Sequence, residues 1–387
     1  MSELAPIVSM AAVAWDFPLV GRTRMLCEAW NRAGRSIAFV EPPYVRTAAA
    51  RLRHGGRLVS DVGERTHIVR PWPALPRRLW NRIGRRGVEK SLQHVGREVR
   101  RGLERFGKLE EMTALVVSPV WAAALRELPF RRVLYDCIDL LRVQVPRPAL
   151  GPMFEEWERE LLARADKAIA TAQSLAGGLL AMRPDLTIRL IRNGVDFERF
   201  AAAGDAAAPA DLPPAERPIV GYVGVLDSGG SYEWIDWELV EKTIVALPQF
   251  DFVFVGPYPA GGRAAELAKH ANVRLLGGKP HADVPRYIAR FDVCWVPFAD
   301  NDVVRACNPV KIYEYFALGK PVVSTPVADL AQLGELATVV RGSDAAVRAI
   351  RAATGTDDSR VREARRKFAK ENSWAARAAE IEKFASG

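Results

Sequence analysis

Short apolar, β-branched runs alternate with helical stretches along most of the chain, and they do so in two separate series. This alternation constrains the fold more than any other feature. Strands buried on both faces read as unbroken apolar runs, and a helix between successive strands is the connection a parallel sheet needs. In the first series the spacing predicts strands at 7–14, 36–40, 66–69, 114–117, 133–135, 168–170 and 188–191, with helical runs at 21–32 and 153–165. The second begins at Pro218-Ile219-Val220-Gly221-Tyr222-Val223-Gly224 and continues at 252–255, 273–275, 293–296 and 321–324. Between them, Ala201-Ala202-Ala203-Gly204-Asp205-Ala206-Ala207-Ala208-Pro209 and then Pro213-Pro214 have the small, Pro-rich composition of a linker. At 387 residues the chain exceeds one ordinary core. The expectation is an α/β protein of two doubly wound domains, 1–200 and 218–368, joined by a 201–217 linker and followed by a terminal segment, 369–387. No solenoid repeat or low-complexity tract competes with that reading.

Within the second series, Asn308-Pro309-Val310-Lys311-Ile312-Tyr313-Glu314-Tyr315-Phe316-Ala317-Leu318-Gly319-Lys320-Pro321-Val322-Val323 reads as a capped helix running into a strand. Asn308 suits an N-cap, Pro309 the first helical position and Gly319 the left-handed stop. Lys311 is out of place there, because the first turn of a helix is already the positive end of its dipole. A cation fits at that end if the helix start binds a phosphate. Glu314, one turn on along the same face, offers two acceptor oxygens that match the two hydroxyls of a ribose. The plain alternative is a surface Lys–Glu pair.

This helix resembles the donor-binding helix of GT-B glycosyltransferases, especially the family 4, or group 1, enzymes. In them a Glu before a small residue-Gly-(Lys/Thr)-Pro-Val-Val run holds the ribose of a nucleotide sugar. Asn193-Gly194-Val195-Asp196 resembles the segment ending their first domain, and Asn372-Ser373-Trp374 with the run to Phe384 resembles their last helix, which crosses back. The resemblance implies a GT-B fold with the two domains facing across a cleft. It implies that Gly224 and Leu226 border the donor, that Gly278 in Gly277-Gly278-Lys279-Pro280-His281 meets the nucleobase, and that Phe298 lines the same pocket. Asn308, Lys311 and Glu314 complete the donor set. Two departures stand out. The second Glu common in the family is replaced by Ala306, and its Arg and Lys after the first strand of this domain are missing from Asp227-Ser228-Gly229-Gly230-Ser231-Tyr232-Glu233-Trp234. The diphosphate then leans on Lys311. Asp300-Asn301-Asp302 has the form of a metal-binding D-x-D but reads as a loop, so no cofactor and no metal are expected.

In the first domain, Tyr135-Asp136-Cys137-Ile138-Asp139 closes a predicted strand on the side where parallel sheets bind ligands. Transfer to a hydroxyl needs a base, and a positioned carboxylate contributes roughly 10²–10⁴-fold. Asp139 is the candidate, with a helix N-cap as the alternative, and Asp136 is read as a packing or hydrogen-bonding residue. This motif, together with Trp15-Asp16-Phe17, Arg22 and Arg24, resembles a membrane-associated bacterial glucuronosyltransferase of xanthan assembly, an inverting GT-B enzyme. It places Asp16 and Arg22 near the acceptor, although a capped first helix accounts for them too. Family 4 likeness favours retention of configuration and the Asp139 match favours inversion, so stereochemistry stays open.

Composition bears on partners. The net charge of +9 is uneven: residues 1–200 carry a surplus of about eleven positive charges and the rest is slightly acidic. Arg77-Arg78-Leu79-Trp80-Asn81-Arg82-Ile83-Gly84-Arg85-Arg86 interleaves basic and apolar residues, as a segment lying on anionic lipid would. A solvated basic helix is the alternative, and no nucleic-acid-binding signature accompanies the charge. The start lacks a basic leader, no apolar run reaches spanning length, and Cys27, Cys137, Cys294 and Cys307 have no metal or disulfide spacing. These features predict a cytoplasmic protein peripheral to the inner membrane face. The resemblance implies that it moves a sugar from a nucleotide-sugar donor, UDP favoured, to a lipid-linked or glycan acceptor in envelope or exopolysaccharide assembly. The rival readings are a GT-B-fold epimerase or phosphorylase and a non-enzymatic nucleotide or nucleic-acid binder.

Overall fold

The computed structural model describes residues 6–17, 21–43, 45–76, 79–140, 150–204, 206–214, 216–227, 233–355 and 358–387. Arg77 and residues 228–232 lie outside them. The chain forms two compact units, one running to Arg192 and including Arg377–Gly387, the other spanning Asn193–Ala376.

The first unit is built on β1 (Ile7–Met10), β2 (Ile37–Val40), β3 (Val59–Asp61), β4 (Thr66–Val69), β5 (Thr113–Val116), β6 (Arg132–Cys137), β7 (Lys167–Ala170) and β8 (Ile188–Leu190). They lie in the order β3-β4-β2-β1-β5-β6-β7-β8. Only the β3–β4 pair is antiparallel. β1, β2 and β5 carry almost no exposed side chain, which is why they read as plain apolar runs. β3 escapes such a reading because its residues step from buried to exposed. The expected strand at 7–14 stops at Met10, where the chain turns away through residues 12–16.

The second unit holds β9 (Ile219–Val223), β10 (Asp251–Val255), β11 (Val273–Leu275), β12 (Val293–Val296), β13 (Val322–Ser324) and β14 (Ala337–Val339). All are parallel, in the order β11-β10-β9-β12-β13-β14. Counted from β9 this is the doubly wound 3-2-1-4-5-6 arrangement, whose direction of winding reverses between β9 and β12. Phe252 and Trp295 meet in its core with ring centroids 5.8 Å apart. β14 was not legible because two of its three residues are exposed. Two parallel α/β sheets in two units match the expected fold class.

Two connections differ from the sequence expectation in detail. The stretch read as a linker, 201–217, falls inside the second unit. Arg290 donates to the Ala206 carbonyl and Arg286 to that of Ala207 at 3.0 Å, while Asp211 takes the Tyr287 hydroxyl at 2.9 Å and Lys279 at 2.7 Å. Its small side chains leave carbonyls open to Arg286, on the helix Val284–Ile288, and to Arg290 just after it, so it is a strap. The change of unit comes earlier, at Arg192–Asn193. There Val195 N–H donates to the Asn372 carbonyl at 3.2 Å, and Trp374 N–H to that of Val195 at 3.0 Å. A Cβ on Gly194 would lie 2.6 Å from the Asn372 carbonyl oxygen, so only glycine allows this crossing.

The last helix, Trp374–Ser386, passes into the first unit from Arg377 onward. Within that unit the Trp30 indole donates to the Ala378 carbonyl at 3.2 Å, and Lys167 to that of Phe384 at 2.8 Å. Arg132 donates to the Ala385 carbonyl. Cations thus occupy the carbonyl end of this helix, where its dipole is negative.

The basic segment departs most from expectation. Trp80 is not at the surface: it is fully buried against Phe154 and Trp157, and its indole donates to the Leu75 carbonyl at 2.6 Å. Arg85 is exposed but engaged by Glu89 and Glu156, while Arg82 and Arg86 are exposed. The helix Trp80–Leu103 breaks at Gly84, φ 65°, and the large apolar side chains exposed nearby are Trp72, Leu75 and Ile83. Trp80 joins an aromatic cluster contributed by the distant helix Gly151–Arg164, which local spacing does not show, whereas Ile83 is exposed. Among the described residues no helix is long and apolar enough to cross a membrane.

Candidate functional site

In the second unit the site grows from the carboxyl ends of β9, β10 and β12. β9 runs into Gly224, whose φ of 146° suits glycine, and β10 runs into Gly256. The two backbones touch: a Cβ on Gly256 would sit 1.8 Å from the Gly224 carbonyl oxygen. Leu226, buried, continues the ladder by donating its N–H to the Pro257 carbonyl at 3.1 Å. Phe298 follows β12 and is buried beneath Trp234, ring centroids 5.6 Å apart.

The helix Val310–Ala317 brings Lys311 to this corner. Its ammonium lies 4.9 Å from the centre of the Tyr222 ring, on β9, and 4.5 Å from that of Phe298, after β12. It therefore stands at the point where the sheet reverses its winding. A Cβ on Gly224 would come within 3.2 Å of it, so the glycine leaves the ammonium its space. Among the described residues no carboxylate lies within ion-pair distance of Lys311. Burial pushes its pKa down to about 8, partly offset by Cys307 and Glu314. The aromatic faces stabilise the cation without neutralising it. A cation so held, at a helix start and a topological switch point, is arranged for an anion.

Glu314 is buried one turn along, with Oε1 3.4 Å from His281 Nε2. His281 belongs to the loop after β11 that contains Gly278, where a Cβ would make only ordinary contact with Pro257 at 3.9 Å. Lys279 of that loop is spent on Asp211.

Asn308 is not the N-cap. The helix is capped at Pro309 without a side-chain bond. The Asn308 side-chain oxygen accepts the Asn193 N–H at 2.9 Å and the Tyr313 hydroxyl at 3.1 Å, and the Asn193 amide donates to the Asn308 carbonyl at 2.6 Å. It thus locks the start of the helix to the Asn193-Gly194 crossing. Asn301 caps the short helix Asp302–Arg305, and Asp300 and Asp302 both accept from Arg305 at 2.9 Å, so that tripeptide forms a loop closed on its own arginine. Ala306 is buried behind it.

In the first unit the carboxyl edge of the sheet carries two buried ion pairs. Arg22 grips Asp136 through two bonds, 2.8 and 3.1 Å, and donates to the Arg192 carbonyl at 2.9 Å. Its guanidinium is committed to the protein, with 4% of the residue exposed, so it positions β6 rather than reaching outward. Asp136 is the hydrogen-bonding residue expected. Glu41, directly after β2, lies 3.4 Å from Arg70, directly after β4, and accepts the Trp15 N–H at 3.2 Å. Burial holds its carboxyl above the usual range despite Arg70. Sequence reasoning passed over Glu41, although a Glu immediately after an apolar strand and before Pro42-Pro43 was a signal. Asp16 is exposed and pairs with Arg53 at 3.3 Å, and the first helix, Arg22–Arg32, is capped by Gly21, so Asp16 is not its cap.

Asp139 follows β6, half-buried, in a turn held by the Thr171 hydroxyl, which donates to the Ile138 carbonyl at 3.0 Å. The next described helix, Gly151–Arg164, is capped at Leu150, so Asp139 does not cap it. No disulfide joins Cys27, Cys137, Cys294 and Cys307, and burial pushes the Cys27 pKa up to about 12.

Residues 217–354, which hold the whole Lys311 corner, match the model of a family described as glycosyl transferases group 1. The putative teichuronic acid biosynthesis glycosyltransferase TuaH of Bacillus subtilis (strain 168) is 26% identical over 206 residues, 50% of this chain and 50% of that protein. The chain thus spans about half the length of that curated relative. Sucrose-phosphate synthase from Thermosynechococcus elongatus superposes with a TM-score of 0.70 at 18% identity, covering 98% of each chain. HepE from Anabaena, solved in complex with UDP and glucose, gives 0.68 at 15% identity, covering 99% of this chain and 100% of that one. These likenesses establish the GT-B fold.

Proposed function

We propose that this GT-B chain, whose second unit contains a glycosyl transferases group 1 domain, is a glycosyltransferase that uses a nucleotide-sugar donor. The observation that carries the reading is Lys311, whose ammonium sits between two aromatic rings at the switch point of the second sheet, with no carboxylate within ion-pair distance among the described residues. As the bond to the sugar breaks, negative charge grows on the departing diphosphate. A fixed cation beside a helix start stabilises that charge more than it stabilises the bound donor. Glu314 receives the ribose hydroxyls, the Gly224–Leu226 turn lets the backbone approach the diphosphate, and the loop through Gly278 flanks the base. Lys311 does the work often given to a metal ion, so transfer needs none.

The acceptor belongs to the first unit. Asp139, at the carboxyl edge of its sheet, takes the proton of the acceptor hydroxyl, and the buried Arg22–Asp136 pair holds the strand that presents it. UDP is the favoured nucleotide, supported by the UDP bound in HepE. The acceptor is a lipid-linked or glycan one in envelope or exopolysaccharide assembly, a reading that the teichuronic acid biosynthesis in the name of TuaH supports only as far as glycan assembly. Attachment to anionic lipid at the cytoplasmic membrane face belongs to the same reading. It rests on exposed Trp72, Leu75 and Ile83 among exposed Arg82 and Arg86.

Thermal-shift measurements with UDP-, GDP-, dTDP- and ADP-sugars test the donor half, since a ligand that binds only the folded state raises Tm. One of the four should raise it for the native protein and not for Lys311→Ala. No shift with any of them, or an equal shift in the variant, overturns the reading.

A further inference from the structure

Glu314 does not stand alone. Arg199, on the helix Phe197–Ala201, brings Nη2 to 3.0 Å from His281 Nδ1 and also donates to the His281 backbone carbonyl. His281 Nε2 faces Glu314 Oε1 at 3.4 Å. A guanidinium only donates, so Nδ1 must be the acceptor, and the ring proton is confined to Nε2, the nitrogen that faces the carboxylate. The edge of the buried Phe200 ring, 6.1 Å away between centroids, closes one side of the imidazole. A relay therefore runs from Arg199 through His281 to one oxygen of Glu314, linking three segments far apart in sequence.

We infer that Arg199 and His281 are positioning residues that fix the tautomer of the imidazole and, through it, hold the Glu314 carboxylate in the rotamer that receives both hydroxyls of the donor ribose. The inference rests on the reading of Glu314 as the ribose holder. With Oε1 anchored by a single ring N–H, Glu314 keeps its remaining lone pairs for the ligand, at little cost in rotamer entropy on binding. An arginine in direct contact would instead have neutralised it.

The test compares affinities for UDP, GDP and ADP with those for their 2′,3′-dideoxy counterparts, on the full-length protein and its variants. The ratio within one variant cancels any loss of correctly folded protein. A site built around a substrate hydroxyl rejects the analogue lacking it, so the native protein should prefer one ribonucleotide by about tenfold or more. Glu314→Ala should abolish the preference. His281→Ala and His281→Asn should lower it by about fivefold, and Arg199→Ala should lower it by a smaller factor. His281→Gln, which keeps an N–H donor near the Nε2 position, should retain most of it. A native preference left intact in His281→Ala overturns the positioning role while Glu314 stands. Absence of any preference in the native protein, or of binding by all three nucleotides, overturns the ribose reading itself.

Discussion

Lys311 concentrates the physics of the site in one side chain. An unfolded lysine keeps its proton up to pH of about 10.4. The folded one releases it near pH 8 because burial disfavours the charge. Between these values the unfolded chain binds more protons, so this residue makes the ligand-free protein more stable as pH rises through that window. Nucleotide affinity should move the opposite way, falling above pH of about 8 with a slope approaching tenfold per unit, as calorimetric titration across pH 7–10 would show. Lys311→Met should remove both dependences, and a flat affinity profile in the native protein would exclude the charge role. Asp139→Asn should leave nucleotide binding intact while lowering kcat by about 10²–10⁴-fold, and unchanged kcat would remove it as the base. Lys311 and Glu314 were legible in the sequence because a cation in the first turn of a helix breaks a local rule. Asn308 was misassigned because a capping preference is local, whereas its partners Asn193 and Tyr313 come from elsewhere. His281 and Arg199 gave no signal that spacing could carry, since only the fold brings them to Glu314.

At the scale of elements, the corner works because two strand ends pass closely enough to leave room for one ammonium. Gly256→Ala would drive a methyl into the Gly224 carbonyl, 1.8 Å away, and should prevent stable folding of the second unit. Gly224→Ala is subtler. Its methyl would meet the Tyr222 hydroxyl at 2.9 Å and the Lys311 ammonium at 3.2 Å, in a backbone conformation that already disfavours a side chain. It should weaken nucleotide binding more than it lowers Tm, as thermal unfolding with and without nucleotide would reveal. The buried strands were readable from apolar runs, and even the short, partly exposed β8 and β11 carried enough of that pattern, whereas Val59-Ser60-Asp61 of β3 and Ala337-Thr338-Val339 of β14 did not. The helix at Trp80 shows the complementary failure. Interleaved Arg and Trp suggested a surface, yet the indole is core, so Trp80→Ala should cost about 3–5 kcal/mol of stability. In chemical denaturation its midpoint should fall, with lipid binding of the folded fraction unchanged.

For the whole molecule, two mainly parallel sheets supply two carboxyl edges, one bearing Lys311 and Glu314 and the other the Arg22–Asp136 and Arg70–Glu41 pairs. The positive surplus of residues 1–200 was plain in the sequence, but that the Trp80 indole belongs to the core was not. Binding to vesicles of phosphatidylglycerol and phosphatidylcholine should weaken steeply between low and physiological salt. Trp72→Ser with Leu75→Ser should reduce it, and binding indifferent to both would remove the membrane from the account. Transfer should persist in excess EDTA, because the charge on the departing diphosphate is met by Lys311. The most direct test of that central claim is a crystal structure of the protein soaked with UDP, GDP, ADP and dTDP in turn. The account predicts, for one of them, diphosphate oxygens within hydrogen-bond distance of the Lys311 ammonium, and for a ribonucleotide its ribose on Glu314. A nucleotide bound elsewhere, or a corner left empty by all four, would contradict it.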